Sequence, residues 1–111
     1  MSNINNDIYQ NEKIVKKGYL YKKSKYLGTW KKRYIVLTKN FIFAYVDDQP
    51  NSECTMNLTL SDSYGPKYLK LENNNDYGFS FSNEGTIYCF KSDNKEERDS
   101  WFNTLRESLE N

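Results

Sequence analysis

The residues of this chain that could do chemistry are mainly cations. Ten Lys and Arg side chains fall between Lys13 and Lys39, and no acidic residue interrupts them. Residues 1–40 hold ten basic and two acidic residues, a net charge of +8, whereas residues 41–111 hold six and thirteen, a net charge of −7. The overall charge of +1 therefore combines two opposed parts. If folding keeps the first part together, the protein presents a basic face, which predicts an anionic partner.

Catalytic and metal chemistry have little support in the same sequence. There is no His, and the two Cys residues, Cys54 and Cys89, are too few for the usual four-ligand zinc site. No phosphate-cradling Gly loop and no recognisable acid–base constellation is present. We therefore predict a protein that is not an enzyme and that uses no metal or other cofactor.

The segments that must position the cations read as short strands. Residue types alternate in seven stretches, separated by turn and loop residues such as Gly65-Pro66 and Asn83-Glu84-Gly85. The predicted strands are residues 17–23, 30–38, 41–46, 54–60, 68–72, 77–82 and 86–91. Seven short strands with this spacing predict a mainly β protein, an antiparallel sandwich or barrel.

The hydrophobic period changes near residue 93. Ser92 or Asp93 can cap a helix whose apolar stripe includes Trp101 and Leu105. A helix with one apolar face must pack on the strands, so we expect it to close one end of the barrel, with both side chains in the core. The Asn-rich residues 1–14 are predicted to be a flexible polar leader, and residues 15–111 a single domain.

Three motifs, two in the first part of the chain and one near its end, resemble the pleckstrin-homology (PH) domain family. Gly18-Tyr-Leu-Tyr-Lys22 and Thr29-Trp-Lys-Lys-Arg-Tyr-Ile-Val-Leu37 resemble its first two strands, and Glu96–Trp101 resembles its terminal helix with a single core Trp. The spacing of the first two strands is similar to that of the protein kinase B type. The resemblance covers about residues 15 to 110 and implies a bent seven-stranded antiparallel barrel, capped by one C-terminal helix and electropositive at its open end.

In members of this family that bind phosphoinositides, a basic pattern on the first two strands contacts the head group, and here it falls on Lys22, Lys31 and Arg33. The geometry is reasonable, because Lys31 and Arg33 share one face of a strand and Lys22 can point to the same place from the neighbouring strand. Three such cations can hold two phosphates. Further attraction to an anionic membrane is expected from a secondary set of lysines, Lys23, Lys25 and Lys32.

Two further regions affect the expected binding: the loop between the first two strands, and the third strand with the loop that follows it. Tyr26 and Leu27 form an apolar loop tip suited to entering the headgroup region of a membrane. Tight binders of the family carry a Tyr where this chain has Ala44, and acidic residues in the following loop, Asp47, Asp48 and Glu53, would oppose phosphate if they approached it. Moderate affinity is expected, for phosphoinositides of the bisphosphate or trisphosphate class or for soluble inositol phosphates.

Two alternative functions stay open at this point. PH domains also act as protein-docking modules with little or no specific lipid binding, and a basic strand pair is often only a solvated face. Single-stranded nucleic acid is a weaker candidate, suggested by basic residues interleaved with Tyr19, Tyr21, Trp30 and Tyr34, although packing in the core is the simpler expectation for Trp30 and Tyr34.

The sequence also predicts where the protein works. No secretory signal and no apolar run of about 18 residues is present, so we expect a cytoplasmic monomer with reduced thiols. Any contact with the plasma membrane or endomembranes would then be peripheral.

Overall fold

The computed structural model describes residues 12–24, 27–60, 69–72 and 77–110. Seven strands and one helix occupy most of these residues, and the strands are rich in β-branched and aromatic residues. The strands are β1 (Ile14–Lys23), β2 (Trp30–Thr38), β3 (Phe41–Tyr45), β4 (Cys54–Thr59), β5 (Leu69–Glu72), β6 (Tyr77–Asn83) and β7 (Thr86–Ser92), and the helix is α1 (Lys95–Glu110).

All seven strands belong to one antiparallel sheet, in the order β4-β3-β2-β1-β7-β6-β5. The strands β1 and β7 pair over Tyr21–Lys91 and Lys22–Phe90, which joins the two halves of the sheet. Between β6 and β7 the chain reverses through Glu84 and Gly85, both at positive φ, as a tight hairpin turn requires. The predicted fold class, a seven-stranded antiparallel sheet with one C-terminal helix, is therefore confirmed.

The main core lies between the inner faces of the bent sheet and the helix. Because side chains alternate along β2, Ile35 and Leu37 point inward. There they pack with apolar side chains from each of the six other strands and from α1. Within this core the Phe90 ring stacks with the rings of Phe79 and Phe81, at centroid distances of 5.4 and 5.9 Å respectively. Burial of these side chains is the main favourable contribution to folding.

The helix α1 is fixed to the sheet by both apolar and polar contacts. Trp101 and Leu105 are buried in the main core, and the Trp101 indole Nε1 donates a hydrogen bond to the Glu97 carboxylate at 3.0 Å. Arg98 is buried as well, and its guanidinium donates to the Gly78 carbonyl of β6 at 3.0 Å. The N-cap is Asn94, whose Oδ1 accepts from the Glu97 amide at 2.8 Å, so the predicted capping positions were one or two residues early.

Some predictions concern the ends and the thiols of the chain. β1 begins at Ile14, three residues before the predicted start, and Glu12 accepts hydrogen bonds from the Thr38 hydroxyl and the Asn40 amide. The rest of the predicted leader, residues 1–11, lies outside the described residues. Cys54 and Cys89 are not joined in a disulfide. Among the described residues, no helix has the length and apolar character needed to cross a membrane.

Replacing Trp101 with Ala should lower the free energy of unfolding by about 3 to 5 kcal/mol, because the change leaves a large cavity beneath α1. Denaturant unfolding followed by circular dichroism measures this change. The matched control is Asn103→Ala, an exposed position on the same helix, which should alter stability by no more than about 0.5 kcal/mol. Equal losses in the two variants would contradict the placement of Trp101 in the core.

Candidate phosphate-binding site

The register of β1 and β2 brings the three predicted head-group residues together. Lys22 lies directly opposite Lys31, and Arg33 lies opposite Leu20, a residue of the main core. Because directly paired residues of an antiparallel sheet point to the same face, all three cations project to the inner side. They lie toward the end of the strands where β1 runs into the loop that precedes β2.

These cations surround a concave pocket of about 170 Å³. Two hydroxyl-bearing residues complete its lining, so the full set of residues is Lys22, Ser24, Lys31, Arg33 and Thr55. No carboxylate belongs to this lining, and in the described part of the chain none of the three cations forms a salt bridge. The pocket therefore combines a high density of positive charge with several hydrogen-bond donors. Such an environment suits a phosphate group.

Lys22 is the cation most affected by this crowding. Its side chain is half-buried, and both this burial and the nearby positive charge of Arg33 lower the pKa of the Lys22 ammonium. The Tyr88 ring, whose centroid is 5.8 Å from the Lys22 Nζ, offers partial compensation through a cation–π contact. An anion bound between Lys22 and Arg33 would oppose both effects, so the pocket favours anionic ligands on electrostatic grounds.

Ser24 and Thr55 are site-lining residues that the sequence did not indicate. The register between β3 and β4 shifts after Ala44, so that Ala44 pairs with Met56 and Tyr45 pairs with Cys54. Thr55 is the extra residue of this irregularity, and its hydroxyl donates to the Ala44 carbonyl at 3.2 Å. The bulge thus places a hydroxyl beside the pocket, whereas Tyr45 remains on the opposite face of the sheet.

The acidic loop between β3 and β4 is held away from the pocket. The Asp48 amide donates to the Tyr19 hydroxyl at 3.0 Å, and Tyr19 lies on the outer face of β1, since it pairs with Tyr34 rather than with a core residue. The Asp47 amide donates to the Ser52 hydroxyl at 2.9 Å, which closes the loop on itself. Consequently Asp47, Asp48 and Glu53 do not line the pocket.

Two of the predicted secondary lysines lie on the outer face of the same strands. The Lys32 Nζ is 5.2 Å from the centroid of the Tyr19 ring. Lys23 pairs with Trp30 across the two strands. The Lys23 Nζ lies 6.0 Å from the centroid of the Trp30 ring, and the Lys91 Nζ lies 4.5 Å from it. These cations add positive charge around the open end of the barrel but do not enter the inner pocket.

A second cleft on this outer side has a mixed lining. It also measures about 170 Å³, and its residues are Lys23, Trp30, Glu72, Gly78, Cys89, Phe90 and Lys91. The Glu72 carboxylate, which accepts a hydrogen bond from the Ser80 hydroxyl at 3.0 Å, makes this cleft less favourable to phosphate than the inner pocket. Trp30 therefore lines an external cleft and does not pack in the main core, contrary to the simpler expectation from the sequence.

The loop between β1 and β2 presents an apolar side chain to solvent. Ser24 organises the loop, because its hydroxyl and its carbonyl accept hydrogen bonds from the amides of Leu27 and Gly28. The Leu27 side chain is 74% exposed and so does not pack against the domain. Lys25 and Tyr26, the other predicted residues of this loop, lie outside the described residues.

Fold and pocket together define a small binding module, and comparison with protein families gives its class. The family model of the PH domain matches residues 14–110, so this chain belongs to the PH domain family. PH domains are generally non-catalytic modules. Among curated proteins, none has a matching sequence.

Solved structures with the same fold include several that hold phosphorylated ligands. The Slm1 PH domain in complex with D-myo-inositol-4-phosphate is 27% identical, with a TM-score of 0.73, over 88% of this chain and 97% of that one. The Slm1 PH domain in complex with phosphoserine is 28% identical, with a TM-score of 0.70, over 86% and 95%.

The C-terminal PH domain of pleckstrin in complex with D-myo-Ins(1,2,3,5,6)P5 is 16% identical, with a TM-score of 0.75, over 89% and 98% of the two chains, and supports the fold alone. The similarity to the protein kinase B type suggested by the spacing of the first two strands receives no support from these matches.

Removing the positive charge of Arg33 should raise the pKa of Lys22 toward the ordinary lysine value. Nuclear magnetic resonance (NMR) titration of the Lys22 side chain in Arg33→Gln measures this shift. Because burial and Arg33 disfavour the protonated form in the folded protein, Lys22 costs folding free energy below its lowered pKa, and the cost declines as the pH rises through that pKa.

The control for this titration is Arg106→Gln, an exposed position on α1, which should leave the Lys22 pKa unchanged. An unchanged Lys22 pKa in Arg33→Gln would show that the two cations do not share one pocket.

Proposed function

We propose that this PH domain binds phosphorylated inositol head groups in the pocket formed by Lys22, Lys31 and Arg33. The observation that carries the proposal is the convergence of three cations on one concave inner surface whose lining contains no carboxylate. The Arg33 guanidinium can contact a phosphate in bidentate fashion, and the two ammonium groups supply further charge-assisted hydrogen bonds. Two phosphates on one inositol ring would satisfy the three cations together.

The ligands seen in related structures support the choice of a phosphate group but not the choice of the inner pocket, since the Slm1 PH domain is described as binding ligand in a non-canonical site. The Slm1 PH domain has been solved with an inositol phosphate and with phosphoserine, which share a phosphate monoester. We therefore take the phosphate monoester as the recognised group and a phosphoinositide of the bisphosphate or trisphosphate class as its source. Soluble inositol phosphates present the same group and would occupy the same pocket.

Membrane association would follow from the surroundings of the pocket. Lys23 and Lys32, with Lys25 from the loop, would add roughly 1 kcal/mol each near an anionic leaflet. Leu27, exposed beside the pocket, would enter the headgroup region while the cations hold phosphates. The protein would thus bind reversibly at cytoplasmic membrane surfaces.

Replacing Lys22 and Arg33 together with Ala should weaken binding to phosphoinositide vesicles by about 100-fold or more, because each lost hydrogen bond between charged groups is worth about 1.5 to 3 kcal/mol. Vesicle co-sedimentation with one phosphoinositide varied at a time, at several salt concentrations, measures the loss. The control is Lys17→Ala with Lys39→Ala, which removes the same charge at exposed positions outside the pocket.

Equal effects of the two double variants would reduce the interaction to nonspecific attraction, which salt would also abolish. If vesicle binding is absent from the start, the protein-docking function is favoured. If binding survives in the Lys22 and Arg33 variant but is lost on replacing Lys23 and Lys91 with Ala, the ligand occupies the outer cleft instead.

Leu27→Asp should weaken binding to vesicles about tenfold or more and leave binding of a soluble inositol phosphate nearly unchanged. The physical reason is that a carboxylate cannot enter the headgroup region favourably, whereas the pocket itself keeps its three cations. Calorimetry with the soluble ligand and co-sedimentation with vesicles give the two affinities. Parallel losses in both measurements would argue against insertion of this side chain.

A further inference from the structure

Ser24 lies where the phosphate pocket meets the loop between β1 and β2. It directly follows β1 and lines the pocket together with the three cations and Thr55. Because side chains alternate along an extended chain, Ser24 points to the same inner side as Lys22, two residues earlier. Ser24 is also held beside the chain that enters β2, since its amide donates to the Thr29 carbonyl at 2.6 Å. Its hydroxyl therefore faces the cations of the pocket.

The hydrogen bonds of the Ser24 hydroxyl leave its proton free. The oxygen accepts from the Leu27 amide at 3.3 Å, and among the described residues none accepts a hydrogen bond from this hydroxyl. The other hydroxyl of the pocket, that of Thr55, differs because it donates to the Ala44 carbonyl at 3.2 Å. Within the described part of the chain, Ser24 can thus give up its proton in a reaction without losing a hydrogen bond that it donates.

The loop that contains Ser24 is held by few contacts. Among the described residues, three hydrogen bonds within this loop end at Ser24, and their partners are Leu27, Gly28 and Thr29. These three partners are exposed. Exposed segments with few buried contacts open locally at a small fraction of the free energy of global unfolding. Local opening would therefore present the Ser24 hydroxyl to a modifying enzyme while the rest of the domain stays folded.

The sequence around Ser24 is strongly basic. Lys22, Lys23 and Lys25 flank it, and no acidic residue lies between Lys13 and Lys39. Protein kinases select their substrates partly by complementary charge, and a kinase with an acidic substrate groove favours a serine that is flanked by lysines. The chemistry of this segment therefore fits a protein kinase that prefers basic substrates.

We propose that Ser24 is a phosphorylation site for such a kinase, and that its phosphate fills the pocket in place of an external ligand. In the transfer, the Ser24 Oγ forms a bond to the γ-phosphorus of a nucleoside triphosphate, and the bond from this phosphorus to the bridging oxygen breaks. The nucleoside diphosphate leaves with that oxygen, and the hydroxyl proton passes to a basic group of the kinase. The inference rests on the proposed function, since it takes the pocket to be a phosphate site.

The phosphate on Ser24 would act as an internal ligand. It carries a charge of about −1.5 to −2 at neutral pH and three acceptor oxygens. Lys22 and its strand partner Lys31 stand beside it on the inner face. A group tethered so closely competes at an effective concentration of about a millimolar or more. Its negative charge would also repel an anionic membrane, so phosphorylation would release the domain from the lipid surface.

The first test places phosphoserine at position 24 of the complete chain during synthesis, so that no kinase is needed. Phosphorus NMR follows the titration of this phosphate, and phosphoserine in place of Asn103, an exposed position on α1, is the control. The phosphate at position 24 should lose its last proton at a pH lower by about one unit or more, because neighbouring cations favour the dianion. Lys31→Gln with Arg33→Gln should remove most of this difference. Equal titration at the two positions would overturn the proposal.

Calorimetry with a soluble inositol phosphate measures the consequence for binding. The chain with phosphoserine at position 24 should bind at least about tenfold more weakly than the unmodified chain, whereas phosphoserine in place of Asn103 should leave the affinity unchanged. An unaltered affinity with phosphoserine at position 24 would contradict the inference. If the unmodified chain binds no inositol phosphate, the proposed function fails, and the phosphorus titration still decides whether the phosphate of Ser24 lies among the cations.

The reaction itself is tested on the complete folded chain with several kinases that prefer basic substrates and a nucleoside triphosphate. Mass spectrometry should find the added phosphate on Ser24. The treatment should weaken inositol phosphate binding by the unsubstituted chain, whereas Ser24→Ala should bind equally before and after it. A peptide of residues 18–30 shows that each kinase is active on this sequence. Phosphorylation of the peptide but never of Ser24 in the folded chain would refute the assignment of this site.

Discussion

The pairing of β1 with β2 is the constraint on which the rest of the molecule depends. By setting Lys22 opposite Lys31 and Leu20 opposite Arg33, it assigns these three cations to the inner side and Tyr19, with its partner Tyr34, to the outer side. A slip of one residue would exchange every one of these assignments. The three cations repel one another, so the hydrogen-bonded ladder and the core beneath it must hold them together. Because the fold itself compensates this repulsion, the three side chains are already positioned for an anion in the unliganded protein.

The fold could be predicted because its signals are local and periodic. Alternation on β2 placed both of its ends correctly, and the helical stripe that contains Trp101 indicated the element that closes the sheet. Where the predicted and observed boundaries differ, the observed boundary depends on contacts between residues that are not apparent from the local sequence pattern. β1 extends back to Ile14 because that residue pairs with Thr38. The helix begins one residue after Asn94 because the Asn94 side chain accepts the hydrogen bond from the Glu97 amide. The predicted caps, Ser92 and Asp93, do not make this bond.

The candidate site could be predicted only in its charged part. A two-residue spacing is enough to place Lys31 and Arg33 on one face of β2. Whether Thr55 joins them is decided by a bulge in β4, two strands away in the sheet. The position of the acidic loop was equally inaccessible, because a single phenol, that of Tyr19, holds the Asp48 backbone on the far side of the sheet. Core packing was the simpler expectation for Trp30, yet alternation along β2 and the pairing with Lys23 place it on the outer face.

The contrasting positions of the two tryptophans give the domain two optical reporters. Trp101 is 1% exposed beneath the helix, so its fluorescence follows whether the core is intact. Trp30 is only partly buried at the mouth of the barrel, beside the ammonium groups of Lys23 and Lys91, whose field acts directly on the excited indole. An anion or a lipid surface that approaches this end would alter the emission of Trp30 and leave that of Trp101 constant. Occupancy of the open end and integrity of the core can thus be read separately, without attaching a dye.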